Sequence, residues 1–411
     1  MVSNYETRID PNMCPPWQRE DTESGLIMNY QGISVFTSRP VDVEVRGESI
    51  QRVTPIETRA HLPYISPGFL DTQVNGYMGS DYSLEEFSEE HIAKIIFHLN
   101  RSGTTQHAPT IITSPRDRIV RNLKTILRAI QSQKDVADAI SGIHIEGPFI
   151  SPADGPRGAH NAAYVRAPDL DEVKEWQEAA EGRITTVTVS PEWEGALRFI
   201  EAISSTGITA AIGHTAAPPD RIKAAVEAGA RLSTHLGNAS HPLIPRLRNY
   251  IWEQLAEDRL MAGIICDGFH LPKSVVQVFS RAKGLDRLIL VSDAAYLGGL
   301  PPGLYRWNDV EVQVFDDGHL GLAGTESLAG AAHLLDWDIP RFMEFTGYGL
   351  RETIPLCTRN PARLQNAMDQ SGRLEPGAPA NLVLFDYEPG MDRLKVLRTI
   401  RRGREVYALG S

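Results

Sequence analysis

Polar side chains able to do chemistry recur in one kind of place in this chain: where a short apolar run rich in Val, Ile and Thr gives out. Gln73 and Asn75 close the run that begins at Phe69. His144 and Glu146 stand in HIEGPF, His214 in IGHT, and His235 and Asn238 in STHLGNAS. Asp267 and His270 stand in CDGFH, and Asp293 in VSDAA. One carboxylate and two imidazoles, Glu146, His214 and His235, make a suitable ligand set for Zn2+ and leave a fourth position for water. Three ligands with one negative charge leave such a site net positive, which favours ionisation of that water. Asp293 has the chemistry to accept the proton and hand it to a leaving amine. A lone histidine after a strand more often holds a structural hydrogen bond than a metal, and Asp293 alone could cap a helix. The joint occurrence of the three at strand ends, with an aspartate ending the last, is what points to a metal site. His107 sits early in its run and reads as core or as a support for the site.

Something must bring these side chains to one place. Between Pro67 and Ala294 the chain alternates short apolar runs with longer stretches of helical spacing. The strand candidates are Phe69–Val74, Gln106–Ile112, Gly142–Gly147, Ile184–Val189, Ile208–Gly213, Leu232–Leu236, Ala262–Cys266 and Leu288–Ser292. Between them lie amphipathic stretches such as Glu85–Asn100, Pro115–Gln133, Leu170–Ala180, Glu194–Ser204, Pro219–Ala228 and Lys273–Ala282. This alternation implies βαβ units and a parallel sheet. Eight units favour a closed (β/α)8 barrel, whose strand ends converge on one mouth. No GxGxxG follows the first strand and no GxxxxGK[ST] occurs, which weakens a nucleotide-binding reading. Both ends of the chain read differently. Gly32–Thr37, Val41–Arg46, Asn381–Phe385 and Thr399–Val406 are short strand candidates, and Gly377–Ala378–Pro379 a turn. The expected layout is a small β-domain built from 1–66 and 361–411 beside a hydrolase barrel over 67–360.

Composition sets outer limits. The net charge of −11 is spread along the chain, so nucleic acid is not the expected partner, although a small phosphorylated ligand needs only one cationic pocket. Cys14, Cys266 and Cys357 are far apart and form no CxxC pair, which suits a reducing cytoplasm better than a disulfide framework. No apolar run reaches the length of a membrane span, so no membrane partner is expected. Met1–Glu20 has acids and no apolar core, so no secretory signal is expected there.

From about Ile50 to Asp386 the chain resembles the N-acetylglucosamine-6-phosphate deacetylases, a branch of the amidohydrolase superfamily. The motifs that carry the likeness are PGFLDTQVNG, HIEGPF, GAHN, IGHT, THLGNAS, DGFH and SDAA, in that order, with GTTQHAPTIITS and EPGAPANLVLFD matching in texture. The resemblance implies a (β/α)8 barrel with a β-sandwich made from both termini, a catalytic divalent metal, usually zinc, and hydrolysis of an acetamido group to an amine and acetate. It also implies a homodimer. Glu146, His214 and His235 fall on the family's metal ligands and Asp293 on its acid/base. His160, in GAHN, falls on the residue that contacts the sugar and polarises the acetyl carbonyl. Ala159, Asn238 and Ala239 fall on ligand contacts, and Arg246 and His270 on phosphate and sugar contacts.

Two departures matter. Many amidohydrolases carry HxH at the end of strand one, where those histidines hold a second metal. This chain has Gln73 and Asn75, and amides are poorer zinc ligands. A single-metal site is therefore expected, with Gln73 and Asn75 supporting it. The stretch THLGNASHPLIPRLR also differs from the family pattern, leaving Arg246, with Arg248 as a rival, as the phosphate clamp. Two other readings remain open on sequence: the same chemistry on another N-acyl or cyclic amide substrate, and a non-catalytic metal-binding barrel.

Overall fold

The computed structural model describes residues 27–410 apart from 59–60, 308–309 and 326. The segment Met1–Glu20 and Cys14 lie outside the described residues. The eight apolar runs form eight parallel strands: Phe69–Val74, Thr104–Ile112, Ile143–Glu146, Ile184–Val189, Thr209–Ile212, Leu232–Ser233, Met261–Ile264 and Leu288–Leu290. Each pairs with the next in chain order. The eighth meets the first through a parallel bridge between Val74 and Ala294, with Asn75 N donating to Ala294 O at 2.9 Å and Asp293 N to Gln73 O at 3.0 Å. This closes a (β/α)8 barrel, and the closing bonds lie beside Gln73, Asn75 and Asp293.

Register does the positioning. Glu146 pairs with Thr188, Val189 with Ile212, and Ile212 with Ser233. His214 and His235, each two residues beyond the paired Ile212 and Ser233, therefore emerge at the same height. Below them the barrel interior holds a short polar chain. His144 Nε2 lies 2.7 Å from Thr188 Oγ1, which lies 2.8 Å from Thr234 Oγ1.

The outer helices form for local reasons. Ser88 and His91 cap the helix Glu89–Arg101, with Ser88 N donating to His91 Nδ1 at 3.2 Å. Its Ile92, Ile95, Ile96 and Leu99 make one buried stripe at helical spacing. Asp169 accepts from Asp171 N at the start of Leu170–Ala179, and Trp176 of that helix stacks on Phe149 with ring centroids 5.3 Å apart. Phe149 follows Glu146 by three residues, so this stack braces the strand end that carries the carboxylate.

Strands from both ends of the chain join in one seven-stranded sheet: Ile27–Ser34, Pro40–Arg46, Ser49–Pro55, Tyr64–Pro67, Leu382–Asp386, Lys395–Arg401 and Arg404–Ala408. The sheet curls over a core that includes Tyr30, Val43, Ile65, Leu382 and Ile400. The stretch Thr399–Val406 is not one strand but parts of two. Arg402 and Gly403 both have positive φ, +45° and +74°, as a two-residue hairpin turn requires, and a Cβ on Gly403 would meet the Gly47 carbonyl. A three-stranded antiparallel insert, Gly303–Trp307, Val310–Val314 and Leu320–Leu322, follows the last barrel strand and was not expected from sequence.

Sheet and barrel are tied by a buried charge. Arg401 is 2% exposed, and its Nη1 donates to Asn100 Oδ1 at 2.7 Å, at the end of the first barrel helix. Burial lowers the Arg401 pKa to about 10, which leaves it charged at neutral pH. Asn100→Ala should cost about 1.5–3 kcal/mol of stability, the usual worth of a buried hydrogen bond to a charged group. Urea unfolding is the check, and a loss within error of zero would mean that Arg401 finds another partner.

Candidate active site

Glu146, His214 and His235 are buried and converge on one point. Glu146 Oε1 lies 3.2 Å from His214 Nε2 and 3.0 Å from His235 Nε2, and the two Nε2 atoms are 3.0 Å apart. Tetrahedral zinc with bonds of roughly 2.0–2.1 Å would hold its ligand atoms about 3.3 Å apart, close to this triangle. His214 Nδ1 lies 3.0 Å from the Pro156 carbonyl. A carbonyl can only accept, so Nδ1 carries the proton and Nε2 turns its lone pair to the cluster. The donor set and its spacing fit a divalent metal.

Backbone conformation aims these side chains. His214, His235 and Asp293 have φ of +48°, +25° and +49°, a left-handed region that non-glycine residues enter rarely. Each such residue costs about 1–3 kcal/mol and persists only where its surroundings hold it. All three lie just past a barrel strand end, so the chain turns as it leaves the sheet.

Asp293 is set beside the cluster by two amides. Gln73 Nε2 donates to Asp293 Oδ1 at 3.0 Å and to Glu146 Oε1 at 2.8 Å, and Asn75 Nδ2 donates to Asp293 Oδ1 at 2.7 Å. Asp71, on the same strand, accepts from Gln73 N at 3.2 Å and from Ser292 N at 3.3 Å, bracing the first strand against the eighth. Burial and the nearby negative charge of Glu146 raise the Asp293 pKa to about 6. Burial alone would raise Glu146, but the His214 and His235 imidazoles packed against it outweigh burial and hold Glu146 well below the usual range. Burial opposes charge on His235, yet Glu146 lifts it to about 9.

His160 lies against the cluster, its ring centroid 4.3 Å from that of His214 at an angle of 68°. Its Nδ1 is 2.7 Å from Thr113 Oγ1. Asn238 Nδ2 donates to the His235 carbonyl at 3.2 Å. A Cβ on Gly158 would come within 3.3 Å of His214 Cε1 and 3.6 Å of Ala239 Cβ, so the loop bearing Ala159 and His160 meets the loop bearing Asn238 and Ala239. His270 Nδ1 pairs with Asp267 Oδ2 at 2.7 Å, and Asp267 also accepts from the backbone of Phe269 and His270. Arg246 is not drawn into this set. Its side chain is exposed and has no polar partner among the described residues, and Arg248 is in the same state. The helix after it begins only at Tyr250, capped by Asn249. His107 is structural: it lies between Tyr82 Oη and the Ala139 carbonyl, and burial lowers its pKa to about 3. Sequence reasoning missed Thr113 and Pro156. Their only signal was position, at the end of a strand and just before GAHN.

A scan against protein-family models finds no match. The N-acetylglucosamine-6-phosphate deacetylase of Bos taurus is 32% identical over 355 residues, 84% of this chain and 83% of its own. That of Bacillus subtilis is 30% identical over 391 residues, 93% of this chain and 94% of its own. The chain belongs to the N-acetylglucosamine-6-phosphate deacetylase family. It is thus a hydrolase of the amidohydrolase superfamily. Among solved structures, a deacetylase mutant from Mycobacterium smegmatis in complex with N-acetyl-D-glucosamine-6-phosphate superposes with a TM-score of 0.82 at 27% identity, covering 93% of this chain and all of the other. The Thermotoga maritima deacetylase gives 0.82 at 25% identity with the same coverage. Among the described residues no helix of this family member is long and apolar enough to cross a membrane.

Metal binding should be linked to protons. In the metal-free protein His235 is protonated below about pH 9, and a ligand nitrogen must be deprotonated. Zinc added at pH 7 should release about one proton per ion, and affinity should rise with pH up to about 9. Titration calorimetry in buffers of different ionisation enthalpy reads this directly. Binding without proton release would mean that His235 is already neutral.

Proposed function

We propose that the chain is a single-metal deacetylase that hydrolyses the acetamido group of an N-acetylated amino sugar, N-acetylglucosamine 6-phosphate, to the amine and acetate. The observation that carries this reading is Asp293, held by Gln73 and Asn75 beside a buried Glu/His/His cluster. Glu146, His214 and His235 would hold the ion, which we take to be Zn2+. When bound, the ion polarises the amide carbonyl and makes water a better nucleophile. Asp293 takes the proton of the attacking water and passes it to the departing amine. In the metal-free protein burial and the Glu146 charge raise its pKa to about 6. His160 donates a hydrogen bond to the carbonyl oxygen as charge gathers there. Ala159, Asn238 and Ala239 line the sugar, while His270 and Arg246 meet its hydroxyls and phosphate.

One ion is favoured over two because the first strand ends in the amides of Gln73 and Asn75, which are poorer metal ligands than imidazoles. We take the barrel over 67–360 as the catalytic domain, with 1–66 and 361–411 as one supporting domain. The buried free thiols of Cys266 and Cys357 suit a reducing compartment, and we assign the enzyme to the cytoplasm as a homodimer. Arg246, exposed and without a side-chain partner among the described residues, keeps one second reading in view: the same chemistry on an N-acyl substrate without a phosphate.

Asp293→Asn should retain the metal and lose roughly 10²–10⁴-fold in turnover, since an amide cannot take the water's proton. Near-normal kcat with metal in place would remove Asp293 from the proton path.

Arg246→Ala should raise KM for the 6-phosphorylated sugar by roughly 10–100-fold, the worth of charge-assisted hydrogen bonds, and barely change the unphosphorylated sugar. Both substrates must be run side by side on wild type and variant. An equal loss on both would make Arg246 structural. A wild-type preference for the unphosphorylated sugar would overturn the phosphate assignment.

A further inference from the structure

Two neighbouring imidazoles in the site have partners of opposite kind. His214 Nδ1 faces the Pro156 carbonyl, which can only accept, and this leaves Nε2 as a lone pair. His160 Nδ1 faces the Thr113 hydroxyl at 2.7 Å, and a hydroxyl can give or accept. The surroundings of Thr113 decide which. Its hydroxyl is at the end of the second barrel strand, where a Cβ on Gly147 would stand 2.2 Å away. Among the described residues it makes no hydrogen bond other than that to His160. A buried hydroxyl proton without an acceptor is unfavourable, so the proton goes to the one acceptor in reach, His160 Nδ1. Nδ1 of the neutral ring must then be the unprotonated nitrogen. The proton of the ring sits on Nε2, which makes no hydrogen bond within the described residues and is free for a ligand.

We propose that Thr113 is a positioning residue: its hydroxyl donates to His160 Nδ1 and fixes the Nε2–H tautomer, so that a proton donor faces the substrate carbonyl. With the opposite tautomer, a lone pair would face a carbonyl oxygen that is gaining negative charge. The loop 156–160 thus supplies the Pro156 carbonyl that sets the ligand histidine and carries His160, whose own setting comes from Thr113. The kinetic part of this inference rests on the deacetylase reading, whereas the tautomer does not.

The test uses the full-length, zinc-loaded protein with 15N-labelled histidine. Long-range proton–nitrogen correlation spectra report which ring nitrogen carries the proton, and His160→Gln assigns the resonance. The expected wild-type spectrum shows His160 as Nε2–H. Thr113→Val, which keeps the shape and removes the hydroxyl, should shift His160 toward the other tautomer and lower kcat roughly 10-fold, as loss of a group orienting a site histidine does, with KM little changed. Thr113→Ser should keep the wild-type tautomer and most of kcat. A wild-type His160 found as Nδ1–H or doubly protonated would overturn the proposal, even if Thr113→Val fails to fold. So would a folded Thr113→Val with unchanged tautomer and kcat. An Nε2–H ring that depends on Thr113, in a protein inactive on every N-acetylhexosamine, would support the proposal and count against the deacetylase reading instead.

Discussion

Three acceptor atoms from three different strands are crowded into a triangle with edges of 3.0–3.2 Å, and the site depends on that crowding. Glu146 Oε1 and the Nε2 atoms of His214 and His235 would repel one another unless protons or a cation stood between them. In the metal-free protein a proton takes that place: His235 is held charged against Glu146 in a site where burial favours neutral groups. A divalent ion does the same task with two positive charges and with bond lengths that the triangle fits. Held protons and a bound metal would thus be alternatives, and a metal's affinity for the site should then follow pH.

The rest of the fold reads as the means of sustaining this crowding. Strand register brings the two histidines to one height, and left-handed backbone at His214, His235 and Asp293 turns the chain where a straight strand would carry it past the point. Such conformations need rigid support. The Phe149–Trp176 stack supplies it behind Glu146, and the closing contacts between the first and eighth strands supply it beside Asp293. Gln73 and Asn75 tie the barrel closure to the site: the backbone of each pairs with the eighth strand, and the side chain of each holds the Asp293 carboxylate.

Much of this was legible in the sequence because periodicity and position report it. The barrel strands follow from apolar runs at regular spacing, and Glu146, His214, His235 and Asp293 follow from polar residues placed just past such runs. What was not legible depends on contacts between distant segments or on turns with weak signals. Thr113 looks like one more β-branched residue at a strand end until the chain folds and brings His160 to its hydroxyl. Pro156 acts through its carbonyl, which no side-chain pattern reveals. The hairpin at Arg402–Gly403 was hidden because the first turn position is an arginine in a conformation better suited to glycine. The insert after the last barrel strand carries a plain alternation in VEVQV, but its flanking glycines and prolines read as loop. Gly237, in the stretch that departs from the family pattern, also has a physical reason. Its φ is +94°, and a Cβ there would come within 3.1 Å of Leu271.

The central claim is that Glu146, His214 and His235 exist to hold one divalent ion. Elemental analysis of the full-length protein, purified without added metal and then again after loading with zinc and exhaustive dialysis, tests it directly. The account predicts about one tightly held ion per chain, lost when Glu146 is changed to Gln. No retained ion after loading, or two ions with Gln73 or Asn75 among the ligands, would contradict it.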